Sequence, residues 1–173
     1  MAARLPELAH VRMRHVAVGF CQSRTPGRYG IYATLTPMRF PGGGLETVRR
    51  GRRYGIRRLQ DPAGVEQLYI LSFYLPRFLD LDFRQKLTTT AHELWHISPA
   101  FDGDVRRYEG RCYAHTGSKR NFDALSEALA DRYLATRPAE DVYIFLRETY
   151  RSLLAKHGRV YGTKVRAPKL VPL

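Results

Sequence analysis

The sequence predicts an α+β domain, with an N-terminal, mainly antiparallel sheet of three to four strands followed by three helices. Three observations carry that reading. Before Pro76, β-branched and aromatic residues alternate or cluster in short runs separated by Pro and Gly turns. After Pro76, apolar residues recur at helical spacing. At 173 residues and 44% hydrophobic, the chain can bury one core and is too short for two ordinary domains. Residues 1–158 are expected to form that domain and 159–173 a basic, proline-punctuated tail.

The first strand is expected from His10 to Cys21, where Val11, Met13 and His15 alternate with Arg12 and Arg14. Pro26-Gly27 supplies a turn to a second strand, Tyr29 to Phe40, which Pro41-Gly42-Gly43-Gly44 ends. Arg49 to Leu59 reads as a short strand or hairpin with a cationic face, carrying Arg49, Arg50, Arg52, Arg53, Arg57 and Arg58. A turn at Asp61-Pro62-Ala63-Gly64 leads into Glu66 to Leu75, the most buried strand by its Tyr, Ile, Leu and Phe content. Asp82 and Gln85 form a capping-box pattern, placing a helix at about 83 to 97 with Phe83, Leu87, Ala91 and Leu94 on one face and Pro99 beyond its end. Asn121 caps a second helix with core positions Leu125, Ala128, Leu129 and Tyr133. A third runs from near Pro138 to about His157, where Gly158 takes the left-handed cap.

Lys and Arg total 29 against 16 Asp and Glu, a net charge of +13. Such a field attracts polyanions, so nucleic acid enters as a candidate partner through the arginines of 49–58. The longest apolar stretch, Leu68 to Leu75, falls short of the roughly 18 residues of a membrane span, so no membrane partner is expected. Charged residues interrupt the first twenty positions, which is unlike a secretory signal and makes the cytoplasm the expected address. Cys21 and Cys112 are then read as reduced thiols. Oligomeric state leaves no trace in the sequence.

The stretch with distinctive chemistry is His92-Glu93-Leu94-Trp95-His96. Histidines four apart on a helix project from one face and can share one metal ion, for which Zn²⁺ is the expected cofactor. Glu93 lies beside them, where a carboxylate can take a proton from metal-activated water as the general base. A catalytic zinc needs a third protein ligand and an open position. On chemistry alone His115 and Glu127 both qualify, and Asp131, one turn after Glu127, could stand behind a ligand histidine and fix its tautomer. Arg111 and Tyr113, just before His115, are candidates for stabilising an oxyanion, with Arg107 and Tyr108 weaker versions of the idea. Asp102 and Asp123 fit capping or solvation better than a place behind the metal ligands. Trp95 is expected in the core, and His10, His15 and His157 have no partner at ligand spacing.

From His92 to Asp123 the chain resembles phage-type metallopeptidases and, more distantly, SprT-like zinc peptidases, in which a His-Glu-x-x-His helix is followed by a loop carrying the third histidine, then glycine and an aromatic residue opening a helix. His115, Gly117 and Phe122 approximate that pattern. The resemblance implies a small zincin-like domain, favours His115 as third ligand, and implies polypeptide substrates, including proteins on nucleic acid. Glu127 and Asp131 are similar instead to the glutamate helix of thermolysin-like and minimal gluzincins. The expected activity is therefore zinc-dependent peptide hydrolysis, with substrate added as a strand along a sheet edge near residues 66–75. The alternative is a non-enzymatic nucleic-acid-binding or phage accessory protein whose metal site is structural and closed by four protein ligands.

Overall fold

A computed structural model describes residues 1–23, 30–108 and 119–173. In chain order its strands are β1 (Val16–Gln22), β2 (Ala33–Pro37), β3 (Glu46–Arg49), β4 (Arg52–Ile56), β5 (Leu59–Gln60), β6 (Glu66–Gln67), β7 (Tyr69–Leu75) and, at the far end, β8 (Leu170–Pro172). The helices are α1 (Arg77–Asp80), α2 (Phe83–Trp95), α3 (Lys119–Ala135) and α4 (Tyr150–His157). This is a mixed α and β architecture with small sheets, and no described helix is long and apolar enough to cross a membrane.

The central sheet has the order β1-β7-β2, with β1 parallel and β2 antiparallel to β7. Among the described residues β1 with β7 is the one parallel pairing of five, so the strands are mainly antiparallel, as expected, while the central sheet itself is mixed. β1 and β2 are successive in sequence yet do not pair, because β7 lies between them. Alternation tells which face of a strand is buried and is silent on which strand lies beside it. Both strands are also shorter than expected, since Met13–His15 form a 3-10 turn ahead of β1 and β2 takes in only Ala33–Pro37. The turn expected at Pro26-Gly27 lies outside the described residues.

The strand expected over Glu66 to Leu75 is split at Leu68 into β6, paired with β5, and β7, which is the most buried strand, as its composition predicts, with Tyr69 to Phe73 and Leu75 all below a tenth exposed. Tyr69, Leu71, Phe73 and Leu75 share one apolar cluster with Leu87, Ala91 and Leu94 of α2. Each large side chain buried there contributes on the order of 2 kcal/mol from removal of apolar surface from water. The Tyr69 hydroxyl donates to the Asp104 carbonyl (2.9 Å) and accepts from the Gly103 N–H (3.0 Å). Burial pushes its pKa up to about 12, so it stays a neutral donor that ties the segment after α2 to the sheet.

The basic segment expected over Arg49 to Leu59 as a short strand or hairpin is a hairpin that starts earlier, β3 and β4 spanning 46–56 with Leu59 already in β5, and Asp61 Oδ1 accepts from the N–H groups of Ala63 (2.9 Å) and Val65 (2.8 Å) in the expected turn. Residues 159–173 depart from the expected tail. Phe20 N–H donates to the Thr163 carbonyl (2.9 Å), and β8 pairs antiparallel with β4. This end of the chain is therefore joined to the central sheet and to the β3-β4 hairpin.

The third predicted helix is broken. Glu140–Val142 and Ile144–Arg147 are 3-10 turns, and a new capping box, Thr149 with Ser152, starts α4. The cause lies across the core in Lys86 of α2, 1% exposed, whose ammonium donates to the carbonyls of Leu146 (2.9 Å) and Glu148 (2.7 Å). Those carbonyls are thereby withdrawn from helix bonding, and Tyr150 N–H turns to Asp80 Oδ1 (3.3 Å). Gly158 does close α4 in the left-handed region, at φ 71°.

Candidate metal centre and hydrolytic site

α2 begins where its capping box predicts, with Asp82 accepting from Gln85 N–H (2.7 Å) and the Gln85 side chain accepting from Asp82 N–H (3.3 Å). Its regular hydrogen bonding ends at Trp95. His96 is the C-cap and keeps helical backbone angles (φ −67°, ψ −15°), so the four-residue spacing of the two histidines survives. The imidazole centroids of His92 and His96 lie 4.9 Å apart at an interplanar angle of 78°. Phe122 of α3, 1% exposed, packs against both rings, 4.5 Å from His92 and stacked 5.1 Å from His96. Contact on both rings restricts the rotamers of both and holds the pair together.

Glu93 is 8% exposed. Burial pushes its carboxyl up to about 7, opposed in part by a hydrogen bond from the Leu35 backbone N–H. That bond is dictated by the register of the sheet. Tyr74 N–H donates to the Tyr32 carbonyl (2.8 Å) and Met38 N–H to the Leu68 carbonyl (3.0 Å), so the even-numbered residues of this segment make the ladder with β7. Ala33 and Leu35 therefore turn their N–H and C=O groups to the other side, and β2 is an edge strand. Glu93 thus stands at the unpaired edge of the central sheet. A cleft of about 280 Å³ opens there, walled by Tyr32 and Ala33, by Thr89, His92 and Glu93, and by Asp123.

Glu127 and Asp131 are not part of this cluster. Both are exposed and both bind Arg84, with Arg84 Nη1 3.3 Å from Glu127 and a bidentate pair to Asp131 at 3.0 and 2.7 Å. Arg84 precedes His92 by eight residues, roughly 12 Å along the helix axis. The i, i+4 spacing of these carboxylates is real, but it addresses a cation at the start of α2 rather than the histidines. Among the described residues, no three His, Cys, Asp or Glu side chains are gathered in a way that could hold a metal ion. His115, Tyr113, Arg111 and Cys112 lie outside the described residues.

Trp95 is half-buried and committed on all sides. Its indole N–H donates to the Tyr108 hydroxyl (2.8 Å), and the Arg106 guanidinium lies 4.1 Å over its ring while donating to the Trp95 carbonyl (2.9 Å). Arg106 N–H also caps the His96 carbonyl (2.7 Å), so the chain leaving α2 is folded back onto the end of the motif. Arg107 makes a bidentate pair with Asp104 (2.7 and 2.8 Å) and Asp102 accepts from Asp104 N–H (3.1 Å), which is the turn-stabilising role expected of Asp102. His15 Nδ1 is hydrogen-bonded to the Glu66 carbonyl (2.8 Å). Cys21 is a free thiol.

One feature of the site escaped sequence reasoning and another was ranked too low. The Leu35 N–H is a backbone group and has no residue-type signature. Asp123 reads as an ordinary charge near a helix start, and only the packing of α3 on α2 brings it to the cleft. The stripe of α3 that makes this packing is Phe122, Ser126, Leu129, Ala130 and Tyr133. It is rotated from the expected stripe, leaving Ala128 exposed, and the helix already includes Asn121, the expected cap.

No protein-family model, curated protein or solved structure matches the chain.

Proposed function

We propose that the chain is a zinc-dependent peptidase with a zincin-like site, in which His92, His96 and His115 hold the metal and Glu93 is the general base. The observation that carries this reading is the convergence of two imidazoles, 4.9 Å apart, beside a buried carboxyl on an unpaired sheet edge. The donor set fits the group: paired imidazole nitrogens suit zinc, and a carboxyl raised to about 7 is matched to proton exchange near neutral pH. Zinc, when bound, supplies a Lewis acid that lowers the pKa of water and polarises the scissile carbonyl.

This chain's own groups do the rest. The edge of β2 receives the substrate as an added strand, using the outward-facing N–H and C=O of Ala33 and the C=O of Leu35. This replaces the edge expected near residues 66–75, because β7 is the central strand and both of its sides are paired. A peptide on β2 passes directly over Glu93, which accepts a proton from the attacking water and returns it to the departing amine. Phe122 fixes the imidazoles and keeps water from their inner side. Arg111 and Tyr113 stabilise the oxyanion. Glu127 and Asp131 are left out of the site, since Arg84 holds them.

Zinc titration with a chromophoric competitor tests this directly. Wild type binds one zinc per chain, His92→Ala and His96→Ala lose it, and the bound metal keeps an exchangeable water. A water-free shell of four protein ligands would favour the structural-metal alternative instead.

A further inference from the structure

The hairpin of β3 and β4 has an architecture that its composition alone did not disclose. β8 pairs with β4 at Tyr54, Gly55 and Ile56, and the bond nearest the tip runs from the Leu173 N–H to the Arg53 carbonyl (3.1 Å). The sheet is therefore three strands wide at its base and two strands wide at its tip. The turn residues Arg50 and Gly51 both adopt positive φ, 50° and 74°, as the tightest two-residue hairpin connection requires. The register sets Arg49 directly opposite Arg52.

Like charges placed opposite one another on a ribbon repel. Arg53 has Glu46 as its counter-ion and Arg58 lies 3.7 Å from Glu66. Among the described residues, Arg49, Arg50, Arg52 and Arg57 have no carboxylate within ion-pair distance, and all four are exposed. The tip thus presents facing, solvent-exposed cations with no carboxylate of the described residues beside them, so an external polyanion can pair with them without displacing an internal ion pair.

We infer that this ribbon tip is a binding arm for duplex DNA, entering the major groove and contacting phosphates on its two sides. The dimensions agree. The two-stranded tip, Val48–Arg49 against Arg52–Arg53, reaches roughly 7 Å beyond the three-stranded base, and the B-form major groove, about 12 Å wide and about 8.5 Å deep, admits a two-stranded ribbon to that depth. Duplex RNA fits poorly, because its major groove is deep and narrow. An acidic membrane surface selects aromatic and leucine side chains beside the cations, and residues 49–53 carry none. The arm stands on its own, independent of peptide hydrolysis.

The test is fluorescence anisotropy of the full chain with a labelled 20-base-pair DNA duplex, an RNA duplex of the same sequence, and phosphatidylserine vesicles. Three tip arginines, Arg49, Arg50 and Arg52, on phosphates give a slope of log affinity against log salt of about −2.7, or a loss of about fortyfold between 50 and 200 mM salt. Arg49→Ala with Arg52→Ala should reduce that slope to about a third. Arg151→Ala with Arg159→Ala, which removes the same charge outside the hairpin, should leave it unchanged. Equal effects of the two double variants would reduce the arm to a share of the overall field and overturn the inference. Salt-insensitive binding, or RNA or vesicles bound as tightly as DNA, would overturn it as well.

Discussion

The buried carboxyl of Glu93 makes a sharp prediction about stability in the absence of metal. In the unfolded chain it ionises near the ordinary 4.5, and in the folded chain near 7. Below pH 4.5 it is protonated in both states and has no effect on the balance. As pH rises from 4.5 to 7 the unfolded state releases its proton first, so stability falls through that window and is level above it. The difference between the two values corresponds to roughly 3 kcal/mol at pH 8 and roughly 1 kcal/mol at pH 5. Glu93→Gln keeps the shape and an oxygen for the Leu35 N–H, and cannot ionise. Urea unfolding with a chelator present should therefore find the variant more stable than wild type by roughly 2 kcal/mol more at pH 8 than at pH 5. A gap that does not change with pH would refute the claim that burial raises this group.

Four further outcomes are expected. His115→Ala should lose zinc, whereas Glu127→Ala should retain it and change stability by no more than about 0.5 kcal/mol, its exposed pair with Arg84 being screened by solvent; metal analysis and urea unfolding check both. Lys86→Met should destabilise by about 1–3 kcal/mol by leaving the Leu146 and Glu148 carbonyls without their donor, read by denaturation. Phe122→Ala should cost about 3–5 kcal/mol and weaken zinc binding, measured by unfolding and by competitor titration, because the imidazoles lose their common packing surface. Leu35→Pro should preserve the fold, since its N–H faces away from the β7 ladder, while lowering peptide cleavage, as circular dichroism and a peptide assay would show.

What was legible in the sequence was local. Asp82 and Gln85 announce the start of α2, Gly158 announces the end of α4, and the run from Tyr69 to Leu75 shows a strand buried on both faces. The histidine pair could be placed on one helix face because the helical period alone decides it. What escaped depends on partners distant in sequence. Nothing in β1 or β2 says that β7 will lie between them, and so the substrate edge was sought on the wrong strand. Lys86 looks like a surface lysine until the carbonyls it serves, sixty residues on, arrive beside it. Glu127 and Asp131 have the spacing of a ligand pair, and only the presence of Arg84 across the helix interface shows what they bind. The tail became a strand because an exposed hairpin edge offered it backbone partners.

The central claim is that His92, His96 and Glu93 form a hydrolytic site, and it is tested most directly by zinc-loaded wild type and Glu93→Gln against a peptide library, with metal content measured on the same samples. One zinc per chain is expected in both proteins, and cleavage by wild type alone. Equal cleavage by the two proteins at equal zinc content, or a wild type that binds zinc and cleaves no peptide, would contradict it.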